Sequence, residues 1–198
     1  MTHFAITGHV CSIQVGSVQP LQVGGRRLMS AIGKRSVQGP VALGPLGLAG
    51  DEQADPAHHG GLAKAVYALP QAHLHWWWQQ QQQQVNRLID APIEPGQLGE
   101  NLCLEGLDEQ EAHVGDRLVF AHCVLRVTEP RFPCSKFTTV MGYAQAARDM
   151  IDSGRSGFYL AVEQAGTLQS GDAFRLEPGP RAISMVQALR HKFSQRGF

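Results

Sequence analysis

The sequence predicts a mainly β, barrel-like fold with short helices. Three observations carry this: β-favouring runs punctuated by glycine and proline, few helical stretches set between them, and a Gly-Asp turn that opens two of the strands. FAITGHVCSIQVG, LVFAHCVLRVT and AFRLEPG read as strands closed by turns. VGDRLVF (114–120) and SGDAFRL (170–176) each place Gly-Asp ahead of alternating side chains, as a tight turn launching a barrel strand does. Two unrelated hairpins would read the same way.

Helical signals are fewer. PQAHLHWWWQQQQQQVNRLID has Pro70 at a plausible helix start, good helix formers through the glutamines, and Pro92 beyond its end. Trp76, Trp77 and Trp78 span about 200° of a helix, so they cannot all face one core; the expectation is one or two covering a neighbouring loop or a partner subunit. GYAQAARDMIDSG offers Tyr143, Ala146, Met150 and Ile151 at helical spacing and stops at Gly154. A last short helix is expected at about 183–193, within SMVQALRHKF.

Length and composition narrow the function classes. With 198 residues, 43% of them hydrophobic, the chain is long enough to bury a real core, and a single domain over 1–198 is expected. Seventeen basic residues balance seventeen acidic ones, which removes the global positive field of a non-specific nucleic-acid binder. The N-terminus lacks a cationic start and a sustained apolar run, and VALGPLGLAG is too short and broken to span a bilayer, so a soluble cytoplasmic protein without a membrane partner is expected. Cys11, Cys103, Cys123 and Cys134 lack paired CxxC spacing and read as reduced thiols.

One cysteine stands apart. In TEPRFPCSKF (128–137), Cys134 lies between Arg131 and Lys136, with Pro130 and Pro133 stiffening the approach. The thiolate is the nucleophile and the metal ligand, and a nearby cation favours it. Taken alone, the segment equally suits a buried inert cysteine beside surface charges.

Upstream, AGDEQADPAHHGGLAKAVY (49–67) combines paired glycines, which permit close backbone approach, with Lys64 as a point charge; that suits a phosphate or another oxyanion, or an ordinary polar loop. In PGQLGENLCLEGLDEQEAHVGD (95–116), Glu100 and Asn101 sit in a glycine-flanked turn, while Asp108, Glu109 and Glu111 read as a solvated acidic turn. His9, His113, His122 and His191 are scattered singletons, His58 and His59 point apart, and His73 and His75 do not share a helix face, so no structural zinc site is expected. No Walker-type loop, dinucleotide fingerprint or G-x-S-x-G elbow is present.

Taken in order, GDEQAD…HHGG…KAVY, GENL…EGLDE…VGD and TEPRFPCSKF resemble the MOSC domain family, the module similar to the C-terminal part of molybdenum cofactor sulfurases, and within it the stand-alone YiiM-like members. The motif core covers about 50–171. The resemblance implies a mixed-strand β-barrel holding a molybdenum-pterin cofactor (Mo-molybdopterin), with Cys134 as the metal ligand and catalytic residue. His59, Gly60, Gly61, Lys64, Asn101, Arg131 and Lys136 fall on positions implied to hold the cofactor. It further implies reduction of N-hydroxylated compounds such as hydroxylamino base analogues, a detoxifying role independent of pyridoxal phosphate. A separate electron-donating reductase is implied too, because no flavin, haem or iron–sulfur signature is present, and a homodimer is compatible.

Two other readings stand beside it: a carrier of the cofactor or its sulfur without turnover, and a thiol hydrolase using Cys134 with His59 as base and Asp51 as acid. Ser135 stands where the family commonly has an aromatic, which would alter the substrate pocket. Longer YiiM-like relatives continue into an extra C-terminal helical segment; if that segment docks an electron donor or closes the site, the expectation is another partner or a more open site here.

Overall fold

The computed structural model describes residues 6–55, 60–84 and 91–195. Its centre is a closed, seven-stranded mixed barrel. The strands are β1 (Thr7–Val15), β2 (Gln19–Val23), β3 (Arg26–Ser30), β4 (Arg35–Val37), β5 (Val41–Gly44), β6 (Gly47–Leu48), β7 (Val66–Pro70), β8 (Leu102–Glu105), β9 (Arg117–Val119), β10 (Val124–Pro130), β11 (Phe158–Gln164), β12 (Gly166–Leu168) and β13 (Ala173–Glu177). Around the barrel the order is β13-β9-β10-β11-β7-β8-β1, and β1 pairs with β13 to close it. Closure removes the free edges that an open sheet would expose. All these pairings are antiparallel except β7 with β8, which makes the barrel mixed. β4 adds to the far half of β1, β5, β6 and β12 form a small sheet, and β2–β3 is a hairpin.

The Gly-Asp similarity has a structural basis. Gly115 and Gly171 both adopt positive φ, 91° in each, a region open to glycine at little cost. The following aspartates reach back three residues: Asp116 accepts the His113 N–H (3.0 Å) and Asp172 accepts the Gln169 N–H (2.9 Å). The strands so launched, β9 and β13, are antiparallel neighbours in the barrel wall.

Among the described residues four α-helices accompany the barrel: α1 (Ala72–Gln82), α2 (Ser135–Met141), α3 (Ala146–Ser153) and α4 (Met185–Gln195). Pro70 ends β7 rather than starting α1, which begins two residues later. Val85 to Asp90 of the anticipated longer helix lie outside the described residues. α3 buries Ala146, Met150 and Ile151, with Tyr143 just before it, and ends at Gly154 in the left-handed region, as its spacing predicts. α2 was not anticipated.

Two apolar clusters result. One fills the barrel interior with residues such as Val10, Ile13, Leu104, Leu118, Leu125 and Phe158. The other lies between the outer face of β7, β8 and β11 and the helices, and contains Tyr67, Leu69, Trp77, Phe137, Met141 and Met150. Trp77 is completely buried, packs edge-on against Phe137 (5.1 Å) and donates from Nε1 to the Arg155 carbonyl (3.2 Å). Trp76 and Trp78 flank it, partly buried, so the tryptophan run is mainly a packing device. Among the described residues no helix is long and apolar enough to cross a membrane.

Candidate functional site

The site forms where β7, β10 and β11 deliver their ends to one side of the barrel. β10 pairs with β11 up to Pro130, and the Arg131 N–H still donates to the Gly157 carbonyl (3.2 Å). Pro133 then biases Phe132 away from helical angles, Cys134 remains extended (φ −136°, ψ 168°), and α2 starts at Ser135. Cys134 is thus presented, half-buried, at a strand-to-helix corner.

Arg131 is the buried charge beside it. Its side chain is buried and lies between two rings, 4.9 Å from the Tyr67 centroid and 4.8 Å from that of Phe137. Its Nη1 donates to the Tyr67 hydroxyl (3.3 Å), which itself donates to the Ser156 carbonyl (2.8 Å). Burial works against the guanidinium charge, but Tyr67, Cys134 and Tyr159 outweigh it and hold the group above its ordinary range. Among the described residues no carboxylate forms an ion pair with it.

Tyr67 and Tyr159 are register partners on β7 and β11, with ring centroids 5.5 Å apart. Burial pushes both phenols up, Tyr159 to about 12, so both are neutral hydroxyls near pH 7. Neither was singled out from sequence. The pairing that brings them together spans 92 residues of chain (67 to 159) and leaves no local mark.

A cleft open to solvent brings together Lys34, Lys64, Arg131 and Lys136 with Asp51, Glu52 and Asp55, alongside Tyr67, Asn101, Cys134 and Tyr159. The three lysines are partly committed. Lys64 lies 3.5 Å from Glu129, and Lys136 donates to the Met29 carbonyl (2.7 Å), tying α2 to the β2–β3 hairpin. Lys34 is ion-paired with Asp51, both nearly buried.

The Gly-Glu-Asn turn divides its work. Asn101 accepts the Tyr67 N–H (3.0 Å) and donates to Asp51 (2.9 Å) and to the Gln14 carbonyl (3.2 Å), so its side chain braces the cleft floor. Glu100 turns inward to the Gly96 N–H and the Cys103 thiol. Gly61 adopts φ 79° at the head of a 3₁₀ turn (Leu62–Lys64), and its N–H donates to Gln53 (2.9 Å). Neither Gly60 nor Gly61 lines the cleft. His59 lies outside the described residues.

Asp51 is already held by Lys34, Asn101 and the Gly16 N–H, which argues against it as the acid of a thiol hydrolase. The acidic turn needs correction at one residue. Glu109 is buried, 3.3 Å from His73, and accepts the Gly157 N–H.

Cys134 also borders a second depression on its other side. That groove is mostly apolar, walled by Phe132, Pro133, Ile151 and Phe193, with Thr138 and Arg148 as polar members. Ser135 lines it as well.

The MOSC domain family matches residues 55–175. The chain is similar to YflK, an uncharacterized protein of Bacillus subtilis (strain 168), at 31% identity over 182 residues, which is 91% of this chain and 79% of YflK. It is similar to a protein of Gibberella moniliformis named a reductase, at 30% identity over 180 residues; the match takes in 87% of this chain but 30% of that longer protein. Among solved structures, YiiM from Geobacillus stearothermophilus superposes with a TM-score of 0.73 and 28% identity, covering 96% of this chain and 86% of YiiM. With a family match over more than half the chain and a shared fold, this chain belongs to the MOSC domain family.

Proposed function

We propose that this chain is a molybdenum-cofactor-dependent reductase of N-hydroxylated compounds. The observation that carries the reading is the position of Cys134: one side faces a polar cleft lined by four cations and three carboxylates, with buried Arg131 next to the thiol, and the other an apolar groove. The residues fit an anionic, metal-bearing cofactor. Arg131 is a buried cation with no carboxylate in ion-pair contact among the described residues; buried Glu100 feels its charge from further off, and an anion in the cleft would add a counter-charge on the Cys134 side. A soft thiolate suits a metal already bound by dithiolene sulfur.

In this reading Cys134 holds the metal, and Arg131 favours the thiolate through its charge. Lys34, Lys64 and Lys136 line the cleft walls where phosphate and pterin edges would lie. Tyr67, whose hydroxyl donates to the Ser156 carbonyl and accepts from Arg131, fixes the guanidinium, and the neutral Tyr67 and Tyr159 phenols add no negative charge to the cleft. The apolar groove takes the body of the substrate, and the small Ser135 side chain leaves its entrance open.

When bound, the cofactor supplies two-electron removal of oxygen: R–NHOH, two electrons and two protons give R–NH₂ and water. In this reading the electrons come from a separate reductase. A reducing cytoplasm suits a protein that depends on a free thiol.

The test is metal content after expression in a host that makes the cofactor, for wild type and Cys134→Ala. Molybdenum and releasable pterin in the wild type, lost in the variant, together with reduction of an N-hydroxylated base by an artificial electron donor, is the expected result. Wild type without molybdenum would overturn the reading. Bound molybdenum without turnover would leave a carrier.

A further inference from the structure

A second cluster of metal-ligating side chains lies on the outer barrel wall, and none of its members lines the cleft. His9 and Cys11 come from β1 and Glu105 from β8. His9 and Glu105 are direct cross-strand partners, so their side chains emerge side by side on one face. Cys11 joins them through an irregularity: pairing runs Val10 with Leu104 and then Ser12 with Cys103, which leaves Cys11 as the extra residue of a bulge. A bulge re-aims a side chain, and here the thiol comes to 3.8 Å from His9 Nε2. The same Nε2 is 3.9 Å from Glu105 Oε2.

These separations are close to what a metal needs. Zinc–ligand bond lengths of about 2.0–2.3 Å in a tetrahedron put neighbouring donor atoms about 3.4–3.6 Å apart. All three donor atoms here lie within 4.8 Å of one another, so small side-chain rotations bring them into range. Both strands belong to the closed barrel, which fixes the backbones that carry the ligands. The donor set selects the ion: one thiolate, one imidazole and one carboxylate suit zinc, whereas calcium and magnesium require oxygen throughout. The half-exposed His9 and well-exposed Glu105 leave an approach from solvent, with relative side-chain exposures of 44% and 71%.

We propose that His9, Cys11 and Glu105 form a zinc-binding site on the barrel wall, with three protein ligands and a fourth position open to water. The spacing of β1 alone could not reveal it, because the third ligand arrives from a strand 94 residues later (from 11 to 105). The site is independent of the cofactor reading, and its ion would clamp β1 to β8 next to the seam where β1 meets β13.

The test uses full-length protein carrying Cys134→Ala, so that the cleft thiol does not compete. Zinc is titrated by calorimetry, and cobalt(II) is titrated as a spectroscopic substitute that reports thiolate ligation by charge-transfer absorption. About one equivalent of cobalt with that absorption is expected. Adding Cys11→Ser should abolish the absorption, and adding Cys11→Ser or His9→Gln should weaken zinc by at least the roughly 10–100-fold that loss of an outer-sphere partner costs. Glu105→Gln should weaken zinc while keeping the thiolate band. His9→Gln changes a half-exposed side chain, and circular dichroism confirms that each variant folds. Absence of binding in the parent, or binding unchanged by both Cys11→Ser and His9→Gln, overturns the proposal.

Discussion

Single residues show how the cleft is held and where its cost lies. Glu100 is fully buried, and its Oε2 has no hydrogen-bond partner. Burial raises its pKa, against the lowering influence of the Gly96 N–H and Arg131. The sign follows from proton counting: where the folded state holds the proton more tightly, stability is full below the unfolded carboxylate pKa and is lost as pH rises through the folded one. Wild type should therefore lose more stability than Glu100→Gln as pH rises above the ordinary glutamate range, about pH 4, read as urea midpoints of both proteins over a rising pH series. Parallel curves would mean that Glu100 titrates alike in both states. The Gly-Glu-Asn turn was legible as a special turn, but its division of labour was not. Asn101 is recruited by Gln14, Asp51 and Tyr67, all distant in sequence, and no local pattern encodes those partners. Glu109 was misread for the same reason: an acidic turn looks solvated until His73 and Gly157 close over it.

At the scale of elements, the turn that opens β11 supports the site from behind. Gly157 has φ 66°, donates to Glu109 and accepts from the Arg131 N–H, so it links the buried acid to the cysteine-bearing segment. A Cβ there would sit 2.4 Å from the Ala68 carbonyl and 2.6 Å from Tyr67 Cε2. Gly157→Ala should cost about 2–4 kcal/mol through left-handed backbone strain and overpacking, lowering the melting temperature and displacing the Tyr67 ring. An unchanged melting temperature would show that β7 and β11 yield more readily than a closed barrel should. α2 shows why some elements escaped prediction. SKFTTVM carries Thr138, Thr139 and Val140, β-branched residues with modest helix propensity. It is helical because Phe137 and Met141, one turn apart, both enter the cluster around Trp77, a tertiary contact that outweighs local preference. α3 needed no such help: its apolar spacing and terminal glycine already agreed with its packing.

For the whole molecule, the barrel was legible as a class because its strands and Gly-Asp turns carry local signatures, whereas its closure depends on residues at opposite ends of the chain. Thr7, Gly8 and His9 pair with Arg175, Phe174 and Ala173, so β1 and β13 meet only when the intervening strands are in place. Such non-local pairing favours slow, concerted folding. The two apolar clusters share the wall formed by β7, β8 and β11: Val66, Ala68, Leu102, Leu104, Phe158 and Leu160 face the barrel interior, while Tyr67, Leu69, Cys103 and Tyr159 face the helices. Strands with one face in each cluster cannot lose one set of contacts and keep the other unchanged. Unfolding in urea should therefore be one transition. Tryptophan fluorescence reports the helix-side cluster, because Trp76, Trp77 and Trp78 all pack there, and far-ultraviolet circular dichroism is weighted by the whole backbone, strands included. Coincident midpoints and slopes are the expected result. A fluorescence change that precedes the loss of dichroism would mean that the helices detach from an intact barrel, and Cys134, at the joint between β10 and α2, would then sit on a hinge rather than within one cooperative unit.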